Sequence, residues 1–307
     1  MSTKFTRVVL AAALGIALVG CGKDEPPAAP PPAVAAKAAA TPEGAIMAPI
    51  AHLKSGNIDG LMQSVLPPEE YAKAKADYAK DMNNEPASEE DKAKFAENMA
   101  KLTAPDAEAQ LWAELEPKLK ELDAQMAQQM PMMVAMGKGV IQSSIQQNQE
   151  LTEAQKLQAS QAVDALGNWV TTAKFTDPAL AQKAIKIVCD TARKINLKTL
   201  DEARALSYEQ AMGKAGVAYL GVKDVLALYG FSIDQTLDSI KAETISSDAS
   251  TAKVKISYTL LNTPLSAESD LVKVGERWYG KEMLEGLKKK DVAVSESEPA
   301  AAAPATN

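Results

Sequence analysis

LWAELEPKLKELDAQMAQQMPMMVAMGKGVIQSSI, residues 111–145, decides the fold. Within it Leu111, Leu115, Leu119, Leu122, Met126, Met130, Met133, Val140, Ile141 and Ile145 recur mostly at steps of three or four. An α-helix turns once every ~3.6 residues, so this spacing paints one apolar stripe along a long helix. A second stripe follows in Leu157, Val163, Leu166, Trp169 and Val170, after the polar stretch Gln146 to Glu150. Two amphipathic stretches joined by a short polar segment predict an antiparallel helical hairpin. Pro117 and Pro131 stand inside the first arm. Each removes a backbone donor, so a kink is expected at both.

On either side of the hairpin, from about Thr41 to about Tyr229, the chain reads as helix after helix. Thr41 precedes Pro42 and Glu43, Ser88 precedes Glu89, Glu90 and Asp91, Thr152 precedes Glu153, and Asp177 precedes Pro178. A capping side chain followed by proline or acid is the signature of a helix start. The acidic groups Glu69-Glu70, Glu89-Glu90-Asp91 and Asp201-Glu202 fit first turns, where the helix dipole favours negative charge.

After Gly230 the period changes. Val254, Ile256, Tyr258 and Leu260 alternate with Lys253, Lys255, Ser257 and Thr259, which predicts a strand with one buried face. Ile240 to Ile245 reads as a first strand, and Gly275-Glu276 as a tight turn between Leu271–Val274 and Trp278-Tyr279. Lys281 to Lys290 predicts a short closing helix. The expected fold is therefore α+β, mostly α: a helical body with a long helical hairpin and a small C-terminal antiparallel sheet. The helical domain is expected over 43–230. The strands and closing helix are expected over 231–290, packed on that domain, with a periodless tail over 291–307.

The first residues carry Lys4 and Arg7 and no acid, followed by an unbroken apolar run from Val8 to Val19. A basic start and a short apolar core are the parts of a secretory signal, too short for a permanent span of ~20 apolar residues. The run ends in Leu18-Val19-Gly20-Cys21. This resembles the lipobox of bacterial lipoproteins. The resemblance implies removal of residues 1–20, diacylglycerol on the Cys21 thiol, and anchoring on a membrane facing the periplasm. Gly22 stands where an aspartate would retain such a protein in the inner membrane, so the resemblance points to the outer membrane. Residues 21–42 are rich in proline and alanine and read as a semi-rigid spacer.

Two further resemblances are partial. The strands from Ile240, closing on Val272-Lys273-Val274-Gly275-Glu276-Arg277-Trp278-Tyr279, look like the end of small NTF2-like domains, and Ala45 to Leu66 resembles their opening. That likeness implies a ligand pocket with Tyr258 and Trp278 among its lining. As a whole the chain resembles an uncharacterised lipoprotein family of gammaproteobacteria related to Xanthomonas, which implies class and not mechanism.

The full chain has a formal charge of −7, and losing Lys4 and Arg7 with the signal takes it to −9. An acidic surface repels phosphate backbones, so nucleic acid is not an expected partner. Of the two cysteines, Cys21 is assigned to lipid, leaving Cys189 in the apolar stretch Ala184 to Cys189. It reads as a small buried hydrophobe rather than a reactive thiol. Met126, Met130, Met132, Met133 and Met136 fall close together. Thioether sulfur is a soft ligand suited to Cu(I), which makes Met130, Met132, Met133 and Met136 the candidate metal ligands. Helical spacing offers a plainer account, with Met126, Met130 and Met133 on the leucine stripe and pliable Met filling gaps near Pro131. His52 is the only histidine; Asp59, two helical turns away, is one possible neighbour, and His52 is expected on a helix surface or half-buried.

Gly137-Lys138-Gly139 and Gly213-Lys214 lack P-loop spacing, and Gly137, Gly139, Gly213 and Gly216 are expected instead to permit close helix contact. No serine elbow or HExxH pattern is present, and aromatic residues, at 5%, are scarce for a carbohydrate cleft. No catalytic residue and no cofactor is assigned. The expected function is that of a non-enzymatic envelope lipoprotein of binding or scaffold type. Its expected partners are the membrane, through the lipid on Cys21, and an envelope protein.

Overall fold

A computed structural model describes residues 39–84 and 87–288. Residues 1–20, Cys21, the spacer up to residue 38 and the tail over 291–307 lie outside the described residues. The described chain is α+β and mostly helical. It runs α1 (Pro42–Ser55), α2 (Ile58–Val65), α3 (Pro68–Asn84), α4 (Glu89–Thr103), α5 (Ala107–Gln147), α6 (Glu153–Thr172), α7 (Pro178–Ile195), α8 (Leu200–Arg204), α9 (Tyr208–Leu228) and α10 (Ile233–Asp238). Strands β1 (Lys241–Ser247), β2 (Thr251–Leu260), β3 (Thr263–Val274) and β4 (Arg277–Gly280) follow, and residues 281–288 are helical.

The helices start where their caps place them. The Thr41, Ser88, Thr152 and Asp177 side chains accept from backbone N–H groups of the first turns of α1, α4, α6 and α7. Each satisfies a donor that the helix itself cannot. Thr152 and Gln155 make a reciprocal capping box, as do Thr199 and Glu202 in α8 and Ser207 and Gln210 in α9.

Helix α7 is the spine. Ala181, Ala184, Ile185, Val188, Cys189 and Ala192 are all buried along it. Ile185 and Cys189 meet Ala107, Leu111, Trp112 and Leu115 of α5. Ala192 joins Phe95 and Met99 of α4 and Leu200 and Ala203 of α8. Small residues let the neighbours close in: a Cβ on Gly221 of α9 would lie 2.5 Å from the Thr191 hydroxyl. A salt-bridge cluster fixes the foot of α5. The Arg193 guanidinium donates to both Glu108 carboxylate oxygens at 2.5 and 2.9 Å, to Asp190 at 3.0 Å and to the Ala104 carbonyl at 3.0 Å.

The sheet is antiparallel in the order β1-β2-β3-β4. Alternation along β2 sends Ala252, Val254 and Ile256 inward, where Val254, Leu271 and Trp278 pack on Ala45 and Ile46 of α1. On the opposite face Lys253 pairs with Glu268 and Asp270 at 3.3 and 3.1 Å. Further along the inward face, Tyr258 lies opposite Leu265. Its hydroxyl accepts from Gln158 of α6 at 2.9 Å. The first helix and the hairpin therefore both cover the sheet.

The strand readings hold, with one extension. β3 was expected only from Leu271, whereas it begins at Thr263 behind a two-residue turn in which Leu261 and Asn262 both have positive φ, 49° and 66°. Such hairpins favour Asn-Gly, and a leucine in the first position hides the turn. Pro264 is tolerated because β4 pairs only with 271–274, leaving one edge of β3 open there.

Glycine expectations divide. A Cβ on Gly216 of α9 would sit 2.1 Å from the Gly56 carbonyl oxygen, so this glycine does permit close contact. Among the described residues nothing lies within 4 Å of a Cβ built on Gly137, Gly139 or Gly213, contrary to expectation, because no described helix packs on the surfaces they occupy. Gly216→Ala is thus expected to destabilise the protein by about 1–3 kcal/mol through overpacking. Gly213→Ala, in an exposed helix interior, should stabilise it by about 0.5–1 kcal/mol. Urea unfolding of the soluble Cys21→Ser protein measures both; equal effects would contradict the packing described.

Candidate functional site

The helical hairpin carries the chemistry most in need of explanation. α5 has 41 residues and is therefore roughly 60 Å long. It runs unbroken through Pro117 and Pro131. Its foot packs on α7, and α6 returns along its far half. Lys138 pairs with Asp164 at 2.7 Å, Gln142 donates to Asp164 at 3.1 Å, and a Cβ on Gly167 would meet Lys138 and Val134. The pairing descends along α6 as it ascends α5, which makes the two helices antiparallel, as expected.

The face that α5 turns to α6 is only in part the expected stripe: Met126, Met130 and Ile145 belong to it, whereas Val134, Lys138 and Gln142 do not. The half-buried positions are Met126, Met130, Val134, Lys138, Gln142 and Ile145, a row at steps of four and three. Leu122, Met133, Val140 and Ile141, expected to pack, are instead 46%, 61%, 68% and 50% exposed. The reason is phase. At ~100° per residue a row at steps of four creeps around the helix, while Leu122, Met133 and Val140 lie on a row that mixes steps of four and three and holds to one side. α6 follows the first row and leaves the second in water.

This divides the methionines. Met130 is half-buried on the inner side, while Met132, Met133 and Met136 are 62%, 61% and 66% exposed. Met132 lies about 200° around the helix from Met130, so the four thioethers do not share one face. The packing expected of Met133 fails for the same reason as that of Leu122.

On the inner side, at the foot of the hairpin, lies a cleft of about 560 Å³. Trp112, Leu119, Met126, Met130, Val170 and Phe175 give it an apolar lining, with Glu116, Lys120 and Asp123 beside them. A second hollow of about 320 Å³ shares Trp112 and reaches Ile185 and Glu108. The NTF2-like expectation placed a pocket elsewhere. Trp278 is 5% exposed and packs in the core between the sheet and α1.

His52 is 5% exposed, more buried than its reading as a surface or half-buried residue. α1 and α2 fold back on each other, which brings the Asp59 charge to bear on the imidazole despite their separation in sequence. Gly60 makes room, since a Cβ there would lie 2.4 Å from His52 Nδ1. The Asp59 carboxylate accepts from the Tyr71 hydroxyl at 2.6 Å and from Gln63 at 2.8 Å. Burial and that bond raise the Tyr71 pKa, and burial pushes Tyr208 beside it up to about 12. The Tyr71 hydroxyl is engaged by Asp59, whereas the Tyr208 hydroxyl is buried without a hydrogen-bond partner among the described residues. Cys189 is fully buried and its thiol is pushed up to about 11, chiefly by desolvation, as its reading as a small hydrophobe requires.

No protein-family model, no curated protein and no solved structure matches this chain. Among the described residues there is no group of three or more His, Cys, Asp and Glu placed to hold a metal ion, and no helix is long and apolar enough to cross a membrane.

Two measurements check these environments. Burial lowers the His52 pKa below the ordinary value of 6.5, outweighing the opposing pull of Asp59. As pH falls the unfolded chain therefore takes up this proton first, so the stability His52 contributes is complete above 6.5 and declines below it. Titration of the single imidazole by NMR should give a midpoint under 6.5; a midpoint above it would reverse the sign. Cys189 should resist a thiol reagent at neutral pH in the folded Cys21→Ser protein and react fully in denaturant.

Proposed function

We propose that this chain is a non-enzymatic lipoprotein of the bacterial envelope. It is anchored through Cys21, on the outer rather than the inner membrane, and works by binding, with the α5–α6 hairpin as its interaction element. The Leu18-Val19-Gly20-Cys21 motif supports the anchor, and the run of proline and alanine behind it supports a spacer between lipid and folded body. The observation that carries the binding reading is the outer half of α5. Residues 124–149 contain a single charge, Lys138, and that charge is paired with Asp164. Protein surfaces in water are normally rich in charge, and charge depletion with methionine enrichment marks the centre of an interface.

The inner cleft favours a second reading. Its volume lies in the ~300–1,000 Å³ range of small-molecule sites, and its lining of aromatic and thioether groups beside a few charges suits an amphipathic ligand. The soft-metal reading draws on fewer residues than the sequence offers, since Met132, Met133 and Met136 share the exposed side without Met130.

Crosslinking in cells, followed by recovery from membranes and mass spectrometry, tests the proposal. The wild-type chain is expected in the membrane fraction, carrying acyl label and crosslinked through the hairpin. Cys21→Ser is expected to lose label and membrane retention together. Full retention of Cys21→Ser on membranes would reject the anchor, and crosslinks confined to surfaces other than the hairpin would reject its role.

A further inference from the structure

Along α5, Leu115, Leu119, Leu122, Met126, Gln129, Met133, Met136 and Val140 follow one another at alternating steps of four and three. That is the heptad period by which two helices pack side by side. The start of the seam is already used inside the protein: Leu115 packs on the α7 core and Leu119 is 7% exposed. Beyond Leu119 the same register passes Leu122 and the half-buried Met126, which also faces the inner cleft, and then continues into solvent, with Leu122, Met133, Met136 and Val140 from 46% to 68% exposed and Met132 and Ile141 flanking it.

We propose that this exposed seam is the contact between two copies of the chain, α5 packing on α5 about a two-fold axis. The proposal rests on the reading of the hairpin as an interaction element and names its partner. Charge is the first argument. The chain as a whole is acidic, so two copies repel across most of their surfaces, whereas over residues 124–149 there is only Lys138, neutralised within its own chain. Like faces can meet there without like charges meeting. The second argument is area. Covering Leu122, Met133, Met136 and Val140 on both copies removes on the order of 1,000 Å² of apolar side chain from water, close to the ~1,200 Å² at which stable interfaces begin, before the polar side chains between them are counted. The third concerns the competing occupant. A lipid surface is held by basic and tryptophan side chains at the edge of an apolar helix face, and residues 122–149 contain no tryptophan and no unpaired lysine or arginine.

The test uses the soluble Cys21→Ser chain in sedimentation equilibrium, with Met133→Glu/Val140→Glu as the variant. These side chains are exposed, so helix content should not change, and circular dichroism verifies that. The parent is expected to be a dimer whose dissociation constant rises at least tenfold in the variant. A single cysteine at Met133 should form an intermolecular disulfide on oxidation, and one at the off-seam position Ala135 should not; buried Cys189 stays silent in both. A parent that is monomeric at all concentrations overturns the proposal, as does a dimer unaffected by the variant. Monomer in solution with binding to uncharged lipid vesicles that the variant abolishes would assign the seam to lipid instead. If the parent is monomeric but hairpin crosslinks to another envelope protein are recovered from cells, self-association fails while the binding reading stands.

Discussion

The Arg193 guanidinium fixes where α5 leaves the helical core and in which direction. It grips both oxygens of Glu108 in the first turn of α5, the carbonyl of Ala104 just before it, and Asp190 one turn back on its own helix. A planar guanidinium facing a carboxylate fixes direction as well as distance. The Glu108 carboxyl is held below its usual range by that bond, so the pair remains ionised across the physiological range. Beside it Ala107, Ile185 and Cys189 are buried together, so the foot of α5 is clamped both electrostatically and by packing. A helix roughly 60 Å long, fixed at one end, must project at the other. Everything distinctive about the molecule follows from that overhang.

Among the described residues, one helix returns along the overhang. α6 packs between α5 and the sheet, tied to the first by Asp164 and to the second by Gln158. One partner helix covers one side of α5, which is why the inner row of Met126, Met130 and Val134 is half-buried while the row through Met133, Met136 and Val140 is exposed. Methionine suits such a place. It is unbranched and polarisable, and it adapts to a facing surface without imposing a rigid shape. The uncharged composition of the same segment removes the usual barrier to association. The acidic clusters, by contrast, sit in the first turns of α3, α4 and α8, where the helix dipole accounts for them.

Much of the fold was legible because its signals are local. Thr41, Ser88, Thr152 and Asp177 cap as their neighbours in sequence suggest, and the period of two along β2 places Val254 inside and Lys253 outside. The hairpin was legible in outline, and the buried side of α5 only in part: Leu119, Met126, Met130 and Ile145 were on the expected stripe, Val134, Lys138 and Gln142 were not. Apolar residues occupy two rows of that helix, and sequence spacing cannot say which row a partner helix will take. Gly216 against Gly56, and Asp59 acting on His52, were hidden for another reason: each depends on how α1, α2 and α9 cross, and crossing leaves no trace in local pattern. The packing of Trp278 against α1 was hidden because a strand pattern does not reveal which helix lies on the sheet face above it.

The central claim is that the outer seam of α5 is covered in the intact envelope. Single cysteines introduced at Leu122, Met133 and Val140, with Ala135 for comparison, can be probed with a maleimide small enough to enter the periplasm. The account predicts slow labelling of the three seam positions in cells and rapid labelling after extraction and dilution in mild detergent, with Ala135 fast throughout. Equal and rapid labelling of all four positions in cells would show the seam bare where the protein works, and would contradict it.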